Sequence, residues 1–197
     1  MWCASTISAA SRAIGAFPPS IRPRVRDTGS RVQSAYPDIA FIAEDLGFLT
    51  PEVLQLVEDS GWPGMKVLEF AFDPREPSNY LPHKYGENCI CYTGTHDNET
   101  LRQWCAGISP ESDAYARDYL GISKADDLAK AIIEAGAGSK ARLFVAQMQD
   151  VLGLGAESRM NTPGTAGGNW VWRLLPGQAD AQTAARLLAR TQAACRA

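Results

Sequence analysis

Apolar and polar positions along this chain fall into short apolar runs separated by longer stretches of helical spacing. Residues 38–43 contain the unbroken run Ile39-Ala40-Phe41-Ile42-Ala43, which predicts a strand buried on both faces. Thr50 then reads as a helix cap with Pro51 at the first helical position. Val53, Leu54 and Val57 would share one face of this helix, and Gly61 would end it. Met65–Phe72 predicts a second strand and Asn88–Tyr92 a third. Ser109 with Pro110 predicts a helix that stops near Gly121. Ser123 followed by Asp126 predicts the start of another, with Leu128, Ile132 and Ile133 as its apolar stripe. Leu143–Met148 reads as a fourth strand ending at Gln149-Asp150, although a buried helix would give the same run. Residues 178–197, rich in Ala and Arg, predict an amphipathic outer helix with a solvated arginine face.

Strands that alternate with helices form parallel βαβ units, so the expected class is α/β. The expected architecture is a (β/α)8 barrel of the TIM type. Such a barrel takes about 250 residues, and residues 36–197 supply four βα units, about its second half. A half barrel has sheet edges that must be covered or paired. An exposed strand edge therefore predicts self-association and marginal stability.

Two of the predicted strands end in polar clusters. Residues 39–43 run into Glu44-Asp45, and Cys89-Ile90-Cys91-Tyr92 runs into Thr93-Gly94-Thr95-His96-Asp97-Asn98. The carboxyl ends of strands are where α/β sheets and barrels present reacting groups. Carboxylates at two strand ends suit acid/base work at a glycosidic bond, which needs one acid to protonate the leaving oxygen and carboxylates to meet the developing positive charge. A single acidic residue at a strand end would more simply be a cap or an ion pair, and Asp45 beside Glu44 leaves the assignment within that pair open. His96 with Asp97 could also be read as a metal pair. The chain has only two histidines, His83 and His96, so the expectation is no metal. The adjacent pair is read instead as hydrogen-bonding a polyhydroxylated substrate.

A glycine-rich stretch with two tryptophans, Trp170 and Trp172, follows the fourth strand. It contains Gly153-Leu154-Gly155, Arg159-Met160-Asn161-Thr162-Pro163-Gly164 and Gly167-Gly168-Asn169-Trp170. No lysine follows the glycines at phosphate-loop spacing, so a nucleotide site is not expected. Tryptophans beside amides fit a sugar, whose ring faces are apolar and whose rim is hydroxylated; they fit core closure equally well.

Composition narrows the function classes. A net charge of −3 with 21% charged residues offers no polybasic surface, so no nucleic-acid partner is expected. No apolar run approaches the ~20 residues of a membrane helix, and no membrane partner is expected. Five cysteines (Cys3, Cys89, Cys91, Cys105, Cys195) lack C-x-x-C spacing, and Cys89 and Cys91 read as small core hydrophobes on one strand face. The expected compartment is the cytoplasm. Residues 1–35 stand apart, with Arg12, Arg22, Arg24, Arg26 and Arg31 against the single acid Asp27. They are read as an unmatched, disordered N-terminal segment or an artefact of the gene start. If they are a transit peptide instead, the destination is a plastid.

Four segments together resemble the 4-α-glucanotransferases (amylomaltase, disproportionating enzyme). They are Ile42-Ala43-Glu44-Asp45-Leu46-Gly47, Pro63-Gly64-Met65-Lys66-Val67-Leu68, Tyr92-Thr93-Gly94-Thr95-His96-Asp97-Asn98 and Gln149-Asp150-Val151-Leu152-Gly153-Leu154-Gly155. The loop from Arg159 to Gly164 and on through Gly168-Asn169-Trp170 resembles the family as well. The resemblance covers about residues 38–175, in order. It implies a barrel of the α-amylase type that transfers α-1,4-glucan segments between maltodextrins with retention, and without a cofactor. It further implies Glu44 as general acid/base and Asp97 as transition-state stabiliser, with Asp45, His96 and Asn169 contacting the sugar. Hydrolysis of the α-amylase kind fits the matched motifs less well than transfer.

One expected element has no match. The family's nucleophile is an aspartate at the end of the fourth strand, in a motif containing arginine and histidine. Nothing between Met1 and Ser34 resembles it, because Asp27, in Arg26-Asp27-Thr28-Gly29, has no apolar strand before it. A retaining reaction needs a second carboxylate about 5 Å from the acid/base. The alternative expectation is therefore a catalytically inactive fragment that at most binds glucan weakly.

Overall fold

In the computed structural model, residues 2–5, 32–47 and 49–196 are described. Of the N-terminal segment 1–35 expected to be disordered, residues 2–5 form a strand and 32–35 a helical turn, while residues 6–31, Asp27 included, lie outside the described residues. The chain divides into two compact units, Met1–Met65 with Asn88–Ile90, and Lys66–Glu87 with Cys91–Ala197.

The first unit holds β1 (Trp2–Ser5), β2 (Ala40–Ala43) and helix α1 (Pro51–Ser60), and it shares β3 (Gly64–Val67) and β4 (Cys89–Tyr92) with the second. Strand β2 forms where the unbroken apolar run predicts it, with Phe41, Ile42 and Ala43 all buried. Its edge is not bare as expected. Strand β1 runs parallel to it, with Trp2 opposite Ala40 and Ser5 opposite Ala43, a pairing through backbone groups that no apolar periodicity announces. On the other side, the Ala43 N–H donates to the Pro63 carbonyl at 2.9 Å, just ahead of β3. Phe41 stacks on Trp62 with ring centroids 4.8 Å apart, and Val32, Ile39 and Val57 pack around that pair. The Trp62 indole N–H donates to Gln33 Oε1 at 3.0 Å, which satisfies its one polar atom.

Helix α1 starts at Pro51 and ends at Gly61, left-handed at φ 67°, as its sequence predicts, but Thr50, expected as its cap, makes no side-chain cap hydrogen bond. Its inner face differs from the expected one. Val53 and Leu56 are buried, and Leu54 is 49% exposed. Residues three apart share a helix face, whereas adjacent residues point about 100° apart.

The second unit carries the remainder of β3 and β4, then α2 (Leu101–Gly107), α3 (Pro110–Leu120), α4 (Leu128–Ala137), β5 (Leu143–Val145), α5 (Met148–Val151) and α6 (Ala181–Ala193). The sheet order is β3-β4-β5. Arg142 N–H donates to the Glu87 carbonyl before β4, and Thr93 N–H donates to Val145 after it. The two residue numbers rise together, so β4 and β5 run parallel, as expected for βαβ units.

Three boundaries depart from expectation. The strand predicted through Phe72 ends at Val67, and Leu68–Phe70 form a 3-10 turn with Leu68 and Ala71 fully buried. A run buried on every side carries no period from which to separate strand from turn. The strand predicted through Met148 stops at Val145, and Met148–Val151 is the helical turn α5. Asp126 does not open α4. Its carboxylate accepts the Ser123 N–H and hydroxyl at 2.8 and 2.7 Å and closes a separate turn, while Asp127 caps the helix by accepting from the Lys130 N–H. Short side chains that bond nearby backbone compete with the helix in this way.

Helix α2, with Thr100 as its cap, has no counterpart in the sequence reading. Leu128, Ile132 and Ile133 are buried as predicted. Each such side chain contributes about 1.5–3 kcal/mol of hydrophobic stabilisation. Cys89 and Cys91 are both buried.

Candidate active site

In the first unit, Glu44 and Asp45 follow directly on β2. Glu44 is half-buried, whereas Asp45 is only 6% exposed. Asp45 Oδ1 accepts the Met65 N–H at 2.6 Å. A Cβ on Gly64 would come within 2.7 Å of Asp45 Oδ2, so the carboxylate lies flat against the start of β3. Asp45, expected to contact sugar hydroxyls, thus holds backbone here, and a buried carboxylate needs such a donor.

The second unit carries the His96-Asp97 cluster on a turn anchored at both ends by one side chain. Asp150 Oδ2 accepts the Thr93 hydroxyl at 2.6 Å, and Asp150 Oδ1 accepts the Leu101 N–H at 2.7 Å. Thr93 Oγ1 also accepts from the Gln147 N–H, and the Gln147 side chain donates to the Glu99 carbonyl. Within the turn, Asn98 Oδ1 accepts both the N–H and the hydroxyl of Thr95, at 2.9 and 2.8 Å. The polar side chains point inward and knit the turn together. His96 and Asp97 are left half-exposed at its tip, with His96 Nε2 3.3 Å from Asp97 Oδ1.

The glycine-rich loop closes over this tip. The Asn161 amide donates to Asp97 Oδ1 at 2.5 Å. The Arg159 guanidinium donates to the Asp97 carbonyl at 2.9 Å, to the Asn161 carbonyl at 2.9 Å and to Glu99 Oε1 at 3.3 Å. Trp170 N–H donates to the Met160 carbonyl, and the Trp170 ring lies 5.0 Å from the His96 ring at 39°. Trp170 is 52% exposed and sits at φ 62°, a left-handed conformation that side chains other than glycine adopt at a cost. Asn169 shapes the same loop: its Oδ1 accepts the Thr162 N–H, and its Nδ2 donates to the carbonyl and hydroxyl of Thr165. The Asn169 carboxamide, expected on a sugar, is engaged with the backbone at both ends.

A half-exposed carboxylate that accepts from Asn161 on the same oxygen that faces His96 has a fixed direction. That suits it to meet positive charge that develops in front of it. No three His, Cys, Asp or Glu side chains converge into a metal-type cluster among the described residues. No helix among them is long and apolar enough to cross a membrane.

Sequence reasoning missed Glu69, which lies in the expected second strand. It is 8% exposed, and its Oε1 is buried without a hydrogen-bond partner among the described residues. Burial pushes its carboxyl up to about 8, reinforced by the negative charge of Asp150, while a hydrogen bond from Asn98 pulls the other way. The available signal was a single carboxylate inside the apolar run Val67–Phe72. Arg159 and Asn161 were visible only as part of a motif, because their partners lie about sixty residues away.

Parallel strand pairs with helices between them define an α/β protein. The profile of the 4-alpha-glucanotransferases matches residues 22–178. The chain is 44% identical to the 4-alpha-glucanotransferase of Thermus thermophilus over 170 residues, covering 83% of this chain and 34% of that one. It is 45% identical to the chloroplastic/amyloplastic 4-alpha-glucanotransferase of Arabidopsis thaliana over 136 residues, covering 69% of this chain and 24% of that one. Its fold matches that of the amylomaltase from Streptococcus agalactiae, solved in complex with acarbose, with a TM-score of 0.81 at 33% identity; the match covers 87% of this chain and 35% of that one. The chain belongs to the 4-alpha-glucanotransferase family. It spans about a third of the length of the first of these relatives.

Proposed function

We propose that this polypeptide serves 4-α-glucanotransferase chemistry, the transfer of α-1,4-glucan segments between maltodextrins with retention. Residues 36–197 would form the second half of a (β/α)8 catalytic barrel. Glu44 is the general acid/base: it protonates the departing glycosidic oxygen, then takes the proton from the 4-hydroxyl of the acceptor. Asp97 meets the oxocarbenium-like charge, held to its direction by Asn161 and His96. His96 and the exposed face of Trp170 supply sugar contacts. Asp45 and Asn169 contact sugar only by giving up part of their present hydrogen bonds.

The observation that carries this reading is the 0.81 TM-score with an amylomaltase solved in complex with acarbose. A double displacement also needs a nucleophilic carboxylate about 5 Å from the acid/base, and no described residue is assigned that part. The second reading, a chain inactive by itself, therefore stands beside the first. We place the protein in the cytoplasm, or in a plastid as for the Arabidopsis relative. Self-association would run through β5, where Leu143 and Val145 are exposed.

The test joins the upstream part of the Thermus thermophilus relative to this chain and assays maltotriose. The fusion is expected to release glucose and longer maltodextrins, and to lose this activity with Glu44→Gln or Asp97→Asn. The chain alone is expected to do neither. A fusion that folds but stays inactive would overturn the proposal.

A further inference from the structure

Beneath the turn that carries His96 and Asp97 lies a carboxyl that the proposed chemistry does not use. Glu69 leaves β3 on the 3-10 turn Leu68–Phe70 and is 8% exposed. A Cβ built on Gly94 would come within 3.0 Å of Glu69 Oε1, 3.0 Å of Asn98 Cβ and 2.9 Å of Gln147 Nε2. The Gly94 backbone therefore rests directly on the Glu69 carboxyl, beside the Asn98 side chain that knits the turn. Asn98 is also the polar side chain that favours the ionised form of the Glu69 carboxyl.

A carboxylate here would face the carboxylates of Asp150 and Glu99, with Arg159 as the opposing cation. From α2, Cys105 also faces it, and burial pushes that thiol up to about 12, so it adds no charge. An ionised oxygen that is buried and lacks a donor costs several kcal/mol, whereas the neutral acid costs far less. The balance of burial, Asp150 and Glu99 against Asn98 and Arg159 lifts the Glu69 carboxyl to about 8.

We propose that Glu69 is a positioning residue: as a neutral carboxylic acid it supports Gly94 and Asn98 from below, and so fixes where His96 and Asp97 stand toward a bound glucan. The glucan part of this statement rests on the proposed function; the support of the turn does not. Ionisation of Glu69 sets an unpaired charge against Asp150 and Glu99 and displaces the turn. Glutamine, which has the shape of the neutral acid and no proton to lose, keeps the turn in place.

The test uses the full chain with labelled imidazoles, since His83 and His96 are its two histidines. The wild-type His96 ring resonances are expected to show a step near pH 8 that reports Glu69. In Glu69→Gln the step near pH 8 disappears and the neutral-pH resonances stay where wild type has them. In Glu69→Ala they move at every pH. His83 serves as the internal control in all three. A wild type without a His96 step near pH 8 overturns the proposal, as does a Glu69→Gln chain whose neutral-pH resonances move as far as those of Glu69→Ala.

Infrared spectra of the wild-type chain give a measurement that does not depend on a variant folding. A neutral-acid carbonyl band at pH 7 is expected, and its absence overturns the proposal. None of these readouts requires glucan. A maltoheptaose titration that left His96 unmoved would count against the proposed function alone.

Discussion

Asn161 donates its side-chain N–H to Asp97 Oδ1 at 2.5 Å, across 64 positions of sequence. With the Arg159 bond to the Asp97 carbonyl, it ties the glycine-rich loop to the His96-Asp97 turn by both side chain and backbone. The direction of the Asp97 carboxylate is therefore set by a loop that contributes little apolar burial of its own.

Replacing Asn161 by alanine should separate positioning from stability. The bond lies at the surface, so the loss of stability is expected to stay below about 1 kcal/mol in urea unfolding. Transfer by the fusion enzyme should fall by about 10- to 100-fold in kcat, since a reacting group misplaced by about 1 Å loses that much. An unchanged kcat would show that Asp97 needs no such tether.

Asp150 holds Thr93 and Leu101 at the two ends of the same turn. Asp150→Ala removes both acceptors and leaves a buried hydroxyl and a buried N–H without partners, at a cost of about 3 kcal/mol in urea unfolding. Asp150→Asn keeps an acceptor and should recover part of that loss. It also removes a negative charge that raises the Glu69 carboxyl, so the alkaline step of His96 should move to lower pH if that charge acts on Glu69 and stay in place if it does not. The expected direction is lower.

Gly64 has no room for a side chain above Asp45. A Cβ there would stand 2.7 Å from Asp45 Oδ2, and Gly64→Ala should destabilise by about 1–3 kcal/mol. In an Asp45→Ala background the same change should cost clearly less, and a double-mutant cycle measures the difference. Additive losses would mean that the two residues do not meet.

Glu69 makes stability depend on pH, with a definite sign. Its folded value of about 8 lies above the ordinary 4.5, so the folded chain holds a proton over an interval in which the unfolded chain has released it. This stabilisation is complete below about pH 4.5, declines as pH rises, and is gone above about pH 8. Its upper limit is about 5 kcal/mol. Glu69→Gln has no such slope. The difference in urea-unfolding free energy between wild type and Glu69→Gln should therefore shift in favour of the variant from pH 5 to pH 8, then level off. A constant difference would mean that the group does not titrate in that range.

Local chemistry made several elements legible before any folding. Continuous apolar runs marked β2 and β4, and proline and glycine marked the ends of α1 and α3, because caps and strand burial depend on the residues next to them. The same local reading found the two acidic strand ends and the loop motif. It placed the end of β3 and the start of α4 wrongly, since an apolar run without a period and a serine beside two aspartates each permit more than one local structure.

What only tertiary structure decided are the relationships across long sequence distances. These are the Met65 N–H on Asp45, the Asp150 clamp on Thr93 and Leu101, the Asn161 tether on Asp97, and the carboxyl of Glu69 under Gly94. The sequence by itself determined which side chains carry charge and which local elements form. The state and direction of each charge were decided by burial and by partners brought from 20 to 64 positions away, because removing a carboxyl from water changes its energy far more than any neighbour in sequence does.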